Sequence, residues 1–159
     1  MSEEIKNERC ASYVLPIRIK DGKKQVALLG YGPHEYGKIG GRFEDGEIDA
    51  RAALRRELSE ELNPGADKIA DIALQISEPY FVDIDHEWAK IRRARKERRY
   101  IFVAQISPDM ELSFCEHCHH NAHVVWLDVK SLLNENIIKF SDERTYLEKY
   151  VMPIIRNMK

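Results

Sequence analysis

Leu54, Leu58 and Leu62 recur at every fourth position with Ala50 and Ala53 beside them. This apolar stripe predicts one helix over residues 49–62, with Asp49 as its N-cap. Ahead of it, residues 10–19 and 25–30 are rich in Val, Leu, Ile and Tyr, and Asp21-Gly22-Lys23-Lys24 between them has the composition of a hairpin turn. Beyond the helix, the pattern predicts strands at about 69–84, 99–106 and 123–127, and helices at about 129–134 and 142–157. The order is that of an α/β chain with mixed strands.

The polar positions of the first helix are less ordinary. At about 100° per residue, Glu57, Glu60 and Glu61 leave it within an arc of roughly 100°. Like charges at these spacings repel, by a few tenths of a kcal/mol per exposed pair and by more where water is excluded. Three glutamates alone equally describe a solvated helix face. The glycines before them change the balance. Gly40 and Gly41 permit close backbone approach to a ligand, and Gly46 permits the reversal that leads into the helix. Arg56, beside Glu57, is placed to pair with Glu44 or Glu47 across that turn. A cation held by oxygen donors, with room for water and phosphate oxygens, is Mg²⁺ or Mn²⁺; zinc would bring histidine or cysteine. The glycine-rich stretch Tyr31 to Gly37 leads into this turn and is expected to line a pocket.

The 159 residues are expected to form a single domain, 1–159, with a net charge of −2 that gives no bulk affinity for nucleic acid. Met1 to Arg9 is polar, no apolar run approaches membrane-spanning length, and the expected location is the cytoplasm. Cys10, Cys115 and Cys118 are too few for a disulfide framework, so reduced thiols are expected.

Gly41, Glu47, Arg56, Glu57, Leu58, Glu60 and Glu61 together resemble the box of the Nudix (MutT-like) hydrolases. The chain departs from that box in three ways. Eight residues rather than seven separate Glu47 from Arg56, Asn63 stands where a glycine belongs, and Pro64 replaces the last aliphatic. With Asp49 as cap, Ile48 reads as a loop insertion that leaves the carboxylates in phase; what it does to Glu47 is open. Asn63 is expected to end the helix in the left-handed conformation.

The resemblance implies an α/β/α sandwich with a mixed sheet between helices, and a metal-dependent pyrophosphohydrolase. Its substrate would be a nucleoside diphosphate linked to another moiety: a nucleotide sugar, dinucleotide, dinucleoside polyphosphate or nucleoside triphosphate. It implies catalytic roles for Glu57, Glu60, Glu61, Arg56 and Glu47, and Mg²⁺ or Mn²⁺ held by the three helix glutamates with Gly41. A glutamate on the loop before the penultimate strand can serve as base in the family, which makes Glu116 a candidate. Expected substrate contacts are Gly40, Arg42, Glu44, Arg95 and Arg98. The alternative is a catalytically impaired Nudix-fold sensor of a nucleotide or metabolite. No membrane partner is expected, and a homodimer is left open.

Two further constellations stand apart. Lys90, Arg92, Arg93, Arg95, Lys96, Arg98 and Arg99 would attract a substrate with several phosphates or an acidic partner. The plainer reading is a solvated charged helix or hairpin tip balanced by Asp83, Asp85 and Glu87. Cys115-Glu116-His117-Cys118-His119-His120 has the residue types of a haem-attachment or zinc site, but haem attachment needs an exported setting, and a structural zinc site needs a second half elsewhere, for which His123 or Cys10 could supply a ligand.

Overall fold

The computed structural model describes residues 6–33, 35–85, 88–89, 94–115, 122–134 and 141–159. Among them, eight strands form one mixed sheet. Its axis is β1 (Lys6–Lys20), which runs parallel to β7 (Ala94–Gln105) from Lys6 to Ile17. On its other side β1 pairs antiparallel with β2 (Lys23–Gly32) near its C-terminal end and with the short β4 (Ile39–Arg42) further back. β3 (Glu35–Gly37) and β8 (His123–Asp128) flank β2, while β5 (Leu74–Gln75) and β6 (Tyr80–Asp83) pair with β7.

The predicted hairpin is tighter than its four-residue signal. Lys20 pairs with Lys23, leaving Asp21 (φ 53°) and Gly22 (φ 76°) as the whole turn. Both central residues have positive φ, the twist that suits a two-residue hairpin.

Strand alternation divides the apolar side chains between two layers. Val14, Ala27, Leu29, Ile39 and Phe102 face α1 (Ala50–Glu61), meeting Leu54, Leu58 and Leu62. Leu15, Ile17, Val26, Leu28, Ile101 and Val103 face the C-terminal helices. Each buried leucine of α1 contributes about 1.5–3 kcal/mol, which fixes the helix against the sheet. The expected sandwich of helices about a mixed sheet is therefore the architecture found. No helix among the described residues is long and apolar enough to cross a membrane.

Asp49 is the N-cap of α1, its Oδ1 accepting from the backbone N–H of Arg51 (2.9 Å) and Ala52 (3.0 Å). The other end departs from expectation, because Asn63 is not left-handed; positive φ falls at Gly65 (91°) instead. Leu62 is extended and bridges to Phe114, while the Asn63 backbone N–H donates to Ser113 O at 3.0 Å. The Asn63 side chain donates to Glu111 O and accepts from Ser113 N–H, each at 2.9 Å. The Cys115 N–H then donates to Glu61 O at 2.7 Å, so an orphan carbonyl of the last turn finds its partner in a distant segment.

The strand expected over 69–84 is also corrected. A 3₁₀ turn at Ala66–Lys68 runs into α2 (Ile69–Ile72), and strand structure returns only in β5 and β6. The Arg51 guanidinium donates to Ala70 O (2.6 Å) and Ala73 O (2.7 Å), closing the end of this helical segment. At the C-terminus, α3 (Ser141–Tyr146) widens into a π turn (Leu147–Val151) before α4 (Met152–Arg156). Pro153, which has no N–H to donate, stands at the start of α4 and accounts for the widened turn.

Candidate functional site

β4 sets Gly40 against the backbone of β1 and Gly41 against Glu57 of α1. A Cβ on Gly40 (φ 141°) would lie 2.1 Å from Ser12 O, so no other residue fits there. A Cβ on Gly41 would lie 2.5 Å from the carboxyl carbon of Glu57, so the missing side chain is what lets that carboxylate reach the strand.

Between β4 and α1 the loop is held by one arginine. Arg56 is bound to both oxygens of Glu47 (Nε at 3.0 and 3.1 Å, Nη2 at 2.8 Å) and to Glu44 at 3.3 Å. It also reaches Glu57 (3.1 Å), Glu60 (3.0 Å) and the carbonyl of Arg42 (3.0 Å). Glu47 also accepts from the Glu44 N–H at 2.7 Å. Ile48, the inserted residue, is 94% exposed, so the extra length bulges into solvent and leaves the Glu47–Arg56 pairing intact. The Arg56 hydrogen bonds hold the Glu47 carboxyl below its ordinary range despite some opposing desolvation.

The helix glutamates divide into two environments. Glu57 is buried and Glu61 stands one turn on, their carboxyls hydrogen-bonded to one another. Burial, followed by the charge of Glu57, pushes Glu61 up to about 8, so near neutral pH it keeps its proton and donates to Glu57. Burial raises Glu57 as well, with Arg56 pulling the other way. Glu60 is half exposed and is drawn to Arg56. Among the described residues, no three acidic, histidine or cysteine side chains converge on one point as they stand. Yet the buried Glu57 carboxyl and the partly buried Glu61 carboxyl, hydrogen-bonded to each other beside a side-chain-free Gly41, form an all-oxygen donor set that fits a hard divalent cation, which would replace the shared proton.

The remaining expected residues are scattered. Gly40 is committed to close approach against β1, while the Arg42 side chain lines a cleft on the other face of the sheet. Arg98 is paired with Glu8 at 2.6 Å and stacked near Phe81, and Arg95 is exposed; neither lines that cleft. From the basic stretch it is Arg99 that does, together with Arg9, Tyr13 and Glu97, none of which the motif reading selected. Their signal was the odd-numbered parity they share along β1 and β7. Tyr31 lies across Gly37, and burial, followed by the charge of Glu61, raises its hydroxyl above the ordinary range. Glu116, His117, Cys118, His119, His120, Lys90, Arg92 and Arg93 lie outside the described residues.

None of the curated proteins matches this sequence. Solved structures do match its fold. The Escherichia coli dihydroneopterin triphosphate pyrophosphohydrolase superposes with a TM-score of 0.62 at 21% identity, over 93% of this chain and 99% of that one. The Caenorhabditis elegans Ap4A hydrolase, in a binary complex, gives 0.61 at 20% identity over 89% and 93%. The NUDIX domain of Shewanella oneidensis NrtR, complexed with ADP ribose, gives 0.55 at 13% identity over 89% and 90%. At these identities the likeness is one of fold. The NUDIX domain profile itself matches residues 13–148, spanning the glycine turn, the arginine hub and the carboxylate helix, and the chain therefore belongs to the NUDIX domain family.

Proposed function

We propose that this chain hydrolyses a diphosphate linkage in a nucleoside diphosphate joined to another moiety, with Mg²⁺ or Mn²⁺ as the cation. The observation that carries the reading is the Glu57 carboxylate seated against the side-chain-free Gly41 with Glu61 one turn on and hydrogen-bonded to it. Glu57, Glu61 and the backbone of Gly41 would hold the cation, joined by Glu60 once it leaves Arg56. Bound there, the cation supplies neutralisation of diphosphate charge and acidification of the attacking water.

The chain's own part is positioning. Arg56 ties Glu44 and Glu47 to α1, so the loop that leads from Gly41 is fixed relative to the carboxylates. The fold neighbours named for Ap4A, dihydroneopterin triphosphate and ADP ribose support a nucleotide-like diphosphate compound as substrate class. The insertion that would favour a binding-only protein, Ile48, projects outward.

The test is product analysis by mass spectrometry after incubation with nucleotide sugars, dinucleotides, dinucleoside polyphosphates and nucleoside triphosphates. Mg²⁺, chelator and Glu61→Gln form the controls. Metal-dependent cleavage lost in Glu61→Gln is the expected result. Binding across the panel with no cleavage would replace the hydrolase by the sensor.

A further inference from the structure

Ser12 donates its hydroxyl to Ala50 O on the α1 side of the sheet, at 2.7 Å. Strand alternation therefore turns Arg9 and Tyr13 to the opposite face. There Arg9, Tyr13, Arg42, Glu97 and Arg99 line an open cleft of about 400 Å³. That is within the usual range for a small-molecule site.

This cleft is built rather than incidental. Glu97, 1% exposed, accepts from Arg9 Nε at 2.5 Å and from Arg99 Nε at 2.7 Å. Burial pushes its carboxyl up, but Arg99 and Arg9 outweigh burial and hold it ionised. One buried carboxylate thus fixes two guanidinium groups in place. Arg99 also lies over the Tyr13 ring, 5.4 Å from its centroid. Among the described lining residues, three arginines face one glutamate, so positive side chains predominate on the walls. The neighbouring Lys38–Glu143 ion pair balances itself.

The cleft adjoins the carboxylate site through a single residue. Arg42 follows Gly41, and its carbonyl takes Arg56 Nη2 at 3.0 Å while its side chain lines the cleft. A ligand spanning both sites would pass over β4, which among the described residues pairs only with β1.

We infer that this cleft binds an additional phosphate of the substrate, one beyond the diphosphate that is cleaved. The inference rests on the hydrolase reading and narrows its substrate class to compounds with at least one further phosphate. That phosphate is either contiguous in a polyphosphate chain or a monoester elsewhere on the molecule. A phosphate dianion suits walls on which arginine predominates, and forked guanidinium groups match its oxygens.

Steady-state kinetics with Mg²⁺ would compare ADP-ribose, which has the diphosphate alone, with ATP and with 2′-phospho-ADP-ribose. The last two separate the contiguous phosphate from the monoester. The wild type is expected to favour one of them over ADP-ribose through a lower KM. Arg9→Gln and, separately, Arg42→Gln should each cut that preference about tenfold, as loss of a charge-assisted hydrogen bond does. Arg42→Gln keeps the test decisive if Arg9→Gln unfolds by stranding Glu97. A wild-type preference for ADP-ribose, or a preference unmoved by either variant, overturns the inference while leaving hydrolysis standing. Titration calorimetry of the same compounds covers the converse case. Binding weakened in the variants without any turnover would sink the hydrolase and keep the phosphate cleft.

Discussion

The carboxylate of Glu57 occupies the space where Gly41 would carry a side chain, 2.5 Å from a Cβ built on that residue. Gly41→Ala must therefore move either β4 or the glutamate. Overpacking of this kind costs about 1–3 kcal/mol. The larger expected effect is on Mn²⁺ affinity, measured by electron paramagnetic resonance titration, which should weaken at least tenfold while the fold persists. Unchanged Mn²⁺ binding would show that Glu57 does not face a cation.

Glu61→Gln should reduce metal-dependent turnover by at least ~100-fold with little change in circular dichroism, since an amide cannot supply the second charge. Retention of full turnover would remove Glu61 from the proposed mechanism.

Acidity gives a separate signature. The metal-free folded state holds the Glu61 proton up to about pH 8, whereas the unfolded chain releases it near the ordinary value of 4.5. Between those limits the folded state binds more protons, so metal-free stability should fall as pH rises and level off above pH 8. Chemical denaturation of chelator-treated protein at intervals across that range would show the slope. In Glu61→Gln it should flatten, and a wild-type curve no steeper than the mutant's would contradict the raised acidity.

Arg56→Lys retains the positive charge but loses the planar fork that spans Glu44, Glu47, Glu57 and Glu60. Activity should drop at least tenfold, with faster proteolysis confined to the loop between β4 and α1. Cleavage patterns identical to the wild type would mean that the loop holds its place without the arginine.

Asn63→Ala removes the two side-chain hydrogen bonds to Glu111 and Ser113 and should destabilise the protein by about 1–3 kcal/mol in denaturant unfolding. Asn63→Gly, which restores the residue usual in the box, should not recover the loss, because glycine has no side chain to make those bonds. Recovery in the glycine variant would mean that backbone freedom, not the side chain, matters at this position.

What could be read in the sequence was what is local. The phase of Glu57, Glu60 and Glu61, the cap at Asp49 and the Asp21-Gly22 turn depend on residues within a few positions of each other. Asn63 was misread because its true partners lie 48 and 50 residues away, and helix-ending statistics cannot see them. Residues 69–72, Ile-Ala-Asp-Ile, suit strand or helix alike, and the Arg51 bonds that close the helical segment come from the previous helix, 19 and 22 positions away. The cleft was invisible for the same reason, since Arg9 meets Glu97 across 88 positions. Arg95 and Arg98 drew attention through local charge density, which does not say which face of a strand a side chain takes.

The parallel pairing of β1 with β7 has a bearing on how the molecule comes into being. Two neighbouring strands of a hairpin meet early, but parallel partners separated by so much chain must wait for the intervening elements, and such distant contacts slow folding. The glutamate helix and its glycine loop lie close together in the chain, whereas the arginine cleft exists only after β7 has docked on β1. Its protection in pulse-labelled hydrogen exchange is therefore expected to trail that of the β1–β2 hairpin. In a newly made molecule, the parts proposed to hold the cation would be assembled before the parts proposed to select the substrate.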